Sequence, residues 1–127
     1  MNLTGKVAII TGAARGQGEA EARLFAECGA RVVLTDVLVD EGEAVAASIG
    51  AAARFQKHDV GSESDWQTTV ELALREFGRI DALVNNAAIC TVEPLMDHTA
   101  ESWERQLRVN LIGPFLGTKA VVEPMRA

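Results

Sequence analysis

The sequence predicts an α/β fold, a doubly wound parallel sheet with helices on both faces. Three observations predict it. Short apolar runs alternate with helical stretches along 127 residues. The first run, Val7-Ala8-Ile9-Ile10, stops at Thr11-Gly12, and Gly16 and Gly18 follow before a helical pattern begins. The second run ends on an acidic residue, Asp36. A strand, a glycine turn and a helix bring backbone N–H groups and a helix N-terminus against a pyrophosphate. Side chains at those positions would hold the phosphates away.

Each element has a local reason. The first strand is expected over about residues 6–11 and the first helix over about 17–28. Ala20, Leu24 and Cys28 recur at i, i+4 and i+8 as that helix's apolar face, and Gly29 stops it. Arg31-Val32-Val33-Leu34-Thr35-Asp36 reads as the second strand. A second helix over about 41–49 takes Asp40 as N-cap, Glu43 as the capping-box partner and Gly50 as its stop. The third strand covers about 53–58. A third helix over about 63–77 starts from Ser62 and ends at Gly78, with Trp66, Val70, Ala73, Leu74 and Phe77 on one stripe. Ile80-Asp81-Ala82-Leu83-Val84-Asn85 reads as the fourth strand. Thr99 caps a helical region that continues, with a break, to the end. Strands joined by helical crossovers imply a parallel sheet with right-handed connections. Strands 1 and 4 are mostly apolar on both faces, as expected when helices cover both sides. There is no repeat, low-complexity segment or linker.

Composition narrows the partners. With 48% apolar and 24% charged residues, the chain reads as a globular domain. A net charge of −6 opposes nucleic acid and anionic membranes. The N-terminus lacks the apolar region of a signal peptide, and no apolar run approaches a membrane span. A cytoplasmic protein is expected. Cys28 and Cys90 have neither zinc nor redox-pair spacing and are expected as free thiols. His58 and His98 lack metal-ligand spacing and are expected to be incidental.

The glycine turn gains meaning from its surroundings. Asp36 follows the turn at the end of strand 2, where a carboxylate accepts hydrogen bonds from the adenosine ribose of a dinucleotide. A P-loop is excluded, because no Lys-Ser or Lys-Thr follows the glycines. A methyltransferase turn stays open on these residues alone.

Further blocks make the pattern specific. Thr11-Gly12-Ala13-Ala14-Arg15-Gly16-Gln17-Gly18 resembles the T-G-x-x-x-G-x-G signature of the short-chain dehydrogenase/reductase family. Asp59-Val60, Asn85-Asn86-Ala87-Ala88, and Asn110 in Arg108-Val109-Asn110-Leu111 follow in the family's order. The resemblance implies a Rossmann-type fold and a set of roles. Gly12, Gly16 and Gly18 would form the phosphate turn, with Thr11, Arg15 and Gln17 around it. Asp36 would read the adenosine ribose, and Asp59 and Val60 would contact adenine. Asn86, Ala87, Ala88 and Val109 would line the cofactor, and Asn86 would also tie strand 4 to its neighbour. The family usually has Gly where this chain has Ala88.

Asp36 and Arg15 compete over cofactor choice. Asp36 would repel a 2′-phosphate and Arg15 could attract one. Each contact near 4 Å is worth about 4 kcal/mol at an effective dielectric of 20. The aspartate is fixed on a short stem while the arginine can swing into water, which favours NAD over NADP.

Asn110 shares a helical face with Trp103 and Leu107, a face expected to pack inward. The resemblance makes Asn110 a catalytic residue at a helix break, holding water in a proton relay. Pro114 gives that break a cause: it has no N–H to bond the carbonyl four residues back, that of Asn110.

The implied reaction is hydride transfer between NAD and a secondary alcohol or ketone, with hydroxysteroids or cyclic alcohols as the nearest likeness. The family's acid/base tyrosine has no counterpart, because the chain contains no tyrosine. The expectation is therefore the NAD-binding half of a longer single-domain enzyme, residues 1–127, truncated after the helix that follows strand 4. Strand 4 would then form an edge with partly uncovered apolar faces. The resemblance implies a homodimer or homotetramer for the complete protein. The alternative is a non-catalytic dinucleotide-binding or sensing module.

Overall fold

The computed structural model describes residues 1–127. Four parallel strands form one sheet: β1 (Val7–Thr11), β2 (Arg31–Asp36), β3 (Ala53–Lys57) and β4 (Ala82–Val84), in the order β3-β2-β1-β4. Between them lie α1 (Gly16–Glu27), α2 (Val39–Ile49) and α3 (Glu63–Phe77). The chain steps outward from β1 to β3, then returns to the other side of β1 with β4. The strand order therefore reverses beside β1, the position where open α/β sheets bind ligands.

Side chains alternate between the two faces of a strand, so the apolar runs Val7–Ile10 of β1 and Val32–Leu34 of β2 feed both layers. Ala8, Ile10, Val32 and Leu34 pack on one face with Ala22 of α1 and Val45 and Ala46 of α2. Ile9 and Val33 pack on the other with Trp66, Leu72 and Ala73 of α3. Burying Ile9 and Ile10 completely stabilises the fold by roughly 1.5–3 kcal/mol each. The fourth strand has less cover. Ala82, Leu83 and Val84 are all half-buried on the sheet edge. Asp81 pins its start to β1 by accepting the Val7 N–H at 2.9 Å. The Arg79 guanidinium, which grips both Asp81 oxygens, holds this carboxyl below its usual range.

Two helix ends follow the sequence closely. Ser62 Oγ accepts the Asp65 N–H at 3.3 Å, and Gly78 closes α3 in the left-handed conformation. Two expectations need correction. The buried face of α1 is Gly18 and Ala22 with Phe25 and Ala26 packed beside them, while Ala20 is exposed and Leu24 is half exposed. Gly18 presses this helix onto the glycine turn, so the small residues face the sheet. Cys28 sits at the C-cap, half-buried, and both cysteines are free. For α2, the N-cap position is Leu38, and Asp40 lies inside the first turn. The Leu38 N–H is satisfied instead by Asp36 Oδ1 at 3.0 Å, so the end of β2 starts this helix.

After β4 the chain runs without regular structure to a single 3₁₀ turn at Leu95–Asp97, then enters α4 (Ala100–Leu107). Thr99 Oγ1 caps α4, accepting the Ser102 N–H at 3.1 Å. The expected break is a π-helical turn over Arg108–Ile112, where the Gly113 N–H bonds the Arg108 carbonyl five residues back. The final helix, α5 (Gly113–Arg126), has Pro114 in its first turn and a second proline, Pro124, near its end. It packs on α3, where Gly117 leaves room for the Trp66 indole. No helix is long and apolar enough to cross a membrane.

Candidate functional site

The C-terminal ends of the strands open into a cleft of about 370 Å³. Its base is the glycine turn. Gly12 has φ +65° and Gly16 has φ +61°, conformations that residues with a Cβ rarely adopt. Gly12 also packs tightly, since a Cβ there would sit 2.8 Å from Ala87 Cα. Gly18 is closer still. A Cβ would overlap the Gly12 carbonyl oxygen and lie 2.6 Å from Asn86 Nδ2. Around Gly16 there is open space, and α1 begins there with only backbone to offer. Arg15, the residue before α1, makes no side-chain cap, so the first N–H groups of the helix have no capping side chain. Open N–H groups at a helix start are the arrangement that holds an anionic phosphate.

Hydrogen bonds fix one wall to the turn. Thr11 Oγ1 accepts the N–H groups of Asn86 (3.1 Å) and Ala87 (3.0 Å) and donates to the Val84 carbonyl (3.3 Å). Asn86 Nδ2 donates to the carbonyls of Thr11 (3.0 Å) and Gly12 (3.1 Å). Asn86 thus ties the end of β4 to the end of β1, as expected. Ala88 is accommodated without strain, because no residue other than glycine has a positive φ.

The opposite wall is Asp36. Its Oδ2 accepts the Ala14 N–H and its Oδ1 the Leu38 N–H, each at 3.0 Å. Two backbone donors hold the carboxylate in place at the mouth of the cleft. Asp59 and Val60 form the third side, with Asp59 Oδ1 accepting the Gly61 N–H at 2.9 Å.

Of the residues singled out in the sequence, Gly12, Arg15, Gly16, Asp36, Asp59, Val60, Asn86, Ala87, Ala88 and Val109 line this cleft together. Thr11 and Gly18 lie buried behind it as supports. Gln17 is exposed and donates to Glu21 Oε1 at 2.9 Å, away from the lining.

Asn110 lies apart from this lining. It borders a neighbouring groove with Thr91, His98 and Gln106. The inward face expected for Trp103, Leu107 and Asn110 is exposed instead. The carboxamide has a clear partner all the same. Asn110 Nδ2 donates to the Ile89 carbonyl at 2.7 Å, and its Oδ1 accepts the Ile89 N–H at 2.9 Å. This two-bond clamp resembles a pair of strand residues and fixes the segment after β4.

Sequence reasoning missed Val37, Leu38, Ile89 and His58 as lining residues. Val37 and Leu38 directly follow Asp36, and Ile89 follows Ala88, so proximity to a motif was the available signal. His58 had the same signal, preceding Asp59. It is far from incidental. It is 2% exposed, with Nδ1 3.0 Å from Thr35 Oγ1. Burial lowers its pKa to about 4 from 6.5, against the attraction of Asp65 and Asp59, so the ring is neutral at physiological pH.

Residues 6–127 match the family described as short chain dehydrogenase. The 3-alpha-(or 20-beta)-hydroxysteroid dehydrogenase of Mycobacterium bovis is 44% identical over 124 residues, covering 98% of this chain and 48% of that protein. A cyclopentanol dehydrogenase of Comamonas sp. is 43% identical over 124 residues, covering 95% of this chain and 50% of that protein. Among solved structures, a 3-ketoacyl-(acyl-carrier-protein) reductase from Brucella melitensis, complexed with NADH, matches with a TM-score of 0.94 at 40% identity, over 97% of this chain and 51% of that one. The chain spans about half the length of the curated relatives it matches. With sequence match and fold agreeing over nearly its whole length, the chain belongs to the short-chain dehydrogenase family.

Proposed function

We propose that this chain forms the dinucleotide-binding part of an oxidoreductase that moves hydride between NAD and a secondary alcohol or ketone. The observation that carries the reading is the cleft, where a glycine turn, a helix N-terminus and a fixed carboxylate converge. The residues fit the cofactor. Gly12, Gly16 and Gly18 keep Cβ atoms off the turn, and the first N–H groups of α1 are free for a pyrophosphate. Asp36 presents its carboxylate to a ribose diol, and Asp59 and Val60 to the purine. Thr11 supports the turn, and Gln17 stands beside it in the first turn of α1. Asn86, Ala87, Ala88 and Val109 flank the nicotinamide end.

When bound, the nicotinamide supplies the hydride-accepting carbon. This chain's part is to bind and orient it. Asn110 acts at one remove: its clamp on Ile89 positions the segment leading from β4. Its main-chain carbonyl belongs to the residue four before Pro114, which has no N–H to offer. That carbonyl is the water-holding group of a proton relay. The acid/base comes from a tyrosine and a lysine that are not among these 127 residues. Hydroxysteroids or cyclic alcohols are the proposed substrates, after the named activities of the relatives. A homodimer or homotetramer in the cytoplasm is the proposed working form, with the 1–127 unit as its cofactor half.

NAD is preferred over NADP because the Asp36 carboxylate is held in place by two N–H groups, whereas Arg15 is exposed and makes no side-chain bond. The test is titration of NADH and NADPH by nucleotide fluorescence. Tighter or equal NADPH binding would overturn the preference, and no binding of either would overturn the cleft assignment. Turnover is then measured on a polypeptide that also supplies the tyrosine and lysine. A second reading, a non-catalytic binding module, holds if no such polypeptide oxidises any secondary alcohol.

A further inference from the structure

His58 belongs to no motif, yet it joins two sides of the cleft. It is the first residue beyond β3, and its N–H bonds the Asp36 carbonyl at 2.9 Å, extending the ladder by one step. Its Nδ1 lies 3.0 Å from the hydroxyl of Thr35, which is itself fully buried. Its ring meets the Trp66 ring edge to face, with centroids 4.3 Å apart and planes at 89°. Trp66 Nε1 then donates to the Val60 carbonyl at 2.9 Å. The contacts make a closed circuit from β2, through the imidazole, to α3 and back to Val60.

We propose that His58 is a positioning residue for the adenosine end of the cleft. Through Thr35 and Trp66 it holds the Asp36 wall and the Asp59–Val60 wall at the separation a purine nucleoside requires. The inference rests on the dinucleotide reading of the cleft and adds to it a residue of this chain that belongs to none of the family blocks.

Two observations set this role apart from simple filling. First, Nε2 is buried and has no partner. An unpaired buried polar atom is unfavourable, so a ring that only filled space would be better replaced by an apolar one. What an apolar side chain cannot supply is the Nδ1 bond, without which the buried Thr35 hydroxyl loses its partner. Thr35 directly precedes Asp36, so its orientation governs where the carboxylate points. Second, the acidic groups nearby are already engaged in shaping the same wall. Asp65 Oδ2 accepts the Asp59 N–H at 2.9 Å, and Asp59 Oδ1 accepts the Gly61 N–H. Neither carboxylate needs a cationic imidazole, and the ring remains neutral in its buried position.

The experiment compares ADP-ribose and nicotinamide mononucleotide in calorimetric titrations of the wild-type protein, His58→Leu and His58→Asn. Melting curves are recorded alongside. His58→Leu is expected to weaken ADP-ribose about tenfold and to leave nicotinamide mononucleotide within about twofold. His58→Asn, whose amide reaches the place of Nδ1, is expected to restore ADP-ribose to within about threefold of wild type. A general structural role would weaken both ligands together and follow the melting temperature, and that result overturns the proposal. So does unchanged ADP-ribose affinity in His58→Leu, or failure of Asn to restore it. Loss of dinucleotide binding in the wild-type protein would overturn the cleft assignment as well, whereas intact binding in His58→Leu overturns the His58 role alone.

Discussion

Residues 1–84 and residues 85–127 are built to different standards of closure. The first region holds most of the core on both faces of the sheet, and its strands β1 and β2 are almost wholly enclosed. The second contributes Leu116 and Val121 to that core but leaves large apolar side chains in solvent. Val92 is 92% exposed and Met96 90%, and Leu95, Leu111 and Phe115 are exposed too. The difference teaches that the cofactor cleft is supported from one side by a finished core, and from the other by a segment tied by side-chain bonds such as the Asn110–Ile89 clamp and by α5 on α3.

The sharpest way to break this contrast is at the glycine turn. Gly18→Val would drive a side chain into the Gly12 carbonyl and Asn86. We expect a loss of about 3 kcal/mol by urea denaturation, and NADH affinity reduced by about 100-fold or more. A variant with unchanged affinity would show that the turn has slack.

Acid should come next in size. The folded pKa of His58 is about 4 and the unfolded value 6.5, so between those values the unfolded chain binds more protons. Its contribution is complete above pH 6.5 and is lost as pH falls toward 4. The total is about 3 kcal/mol, read from urea midpoints between neutral and acid pH. His58→Leu should flatten this part of the profile.

A smaller effect is expected where the two regions are stitched together. Thr11→Val removes the acceptor of two N–H groups and should lower stability by about 1–2 kcal/mol. An unchanged denaturation midpoint would mean that the stitch between β1 and β4 is redundant.

Least of all should follow from changes on the exposed segment. Leu95→Lys and Met96→Lys are expected to alter stability by no more than about 0.5 kcal/mol while reducing binding of a hydrophobic dye. A loss above about 1 kcal/mol would show that this segment is packed, and the contrast between the regions would fall.

Much of the first region was legible in the sequence because its signals are local. Ser62 and Gly78 mark α3 by their own chemistry, and the alternating apolar runs mark β1 and β2. The face of α1 was not legible from periodicity. A close approach at Gly18 decides it, and so small residues bury while Leu24 does not. The start of α2 follows Asp36, a residue outside the helix, which accepts the N–H of the N-cap residue Leu38, while Asp40 lies inside the first turn. His58 was read as incidental because it lacks metal-ligand spacing, and its contacts with Thr35 and Trp66 appear only in the fold. The glycines and acidic residues of the cleft were readable as motifs, but the pairing of Asn110 with Ile89 arises only from the path the chain takes after β4.

The π-helical turn between α4 and α5 can be viewed as a one-residue phase shift. Each residue advances an α-helix by about 100°, so one residue beyond the α register rotates everything downstream by that angle. Deleting a single residue within Arg108–Ile112 would bring α4 and α5 into one continuous register. The same deletion would turn Gly117 away from the Trp66 indole and present a bulkier neighbour in its place. The wide turn is therefore the gearing that lets Asn110, within it, clamp Ile89 while the helix beyond meshes with α3.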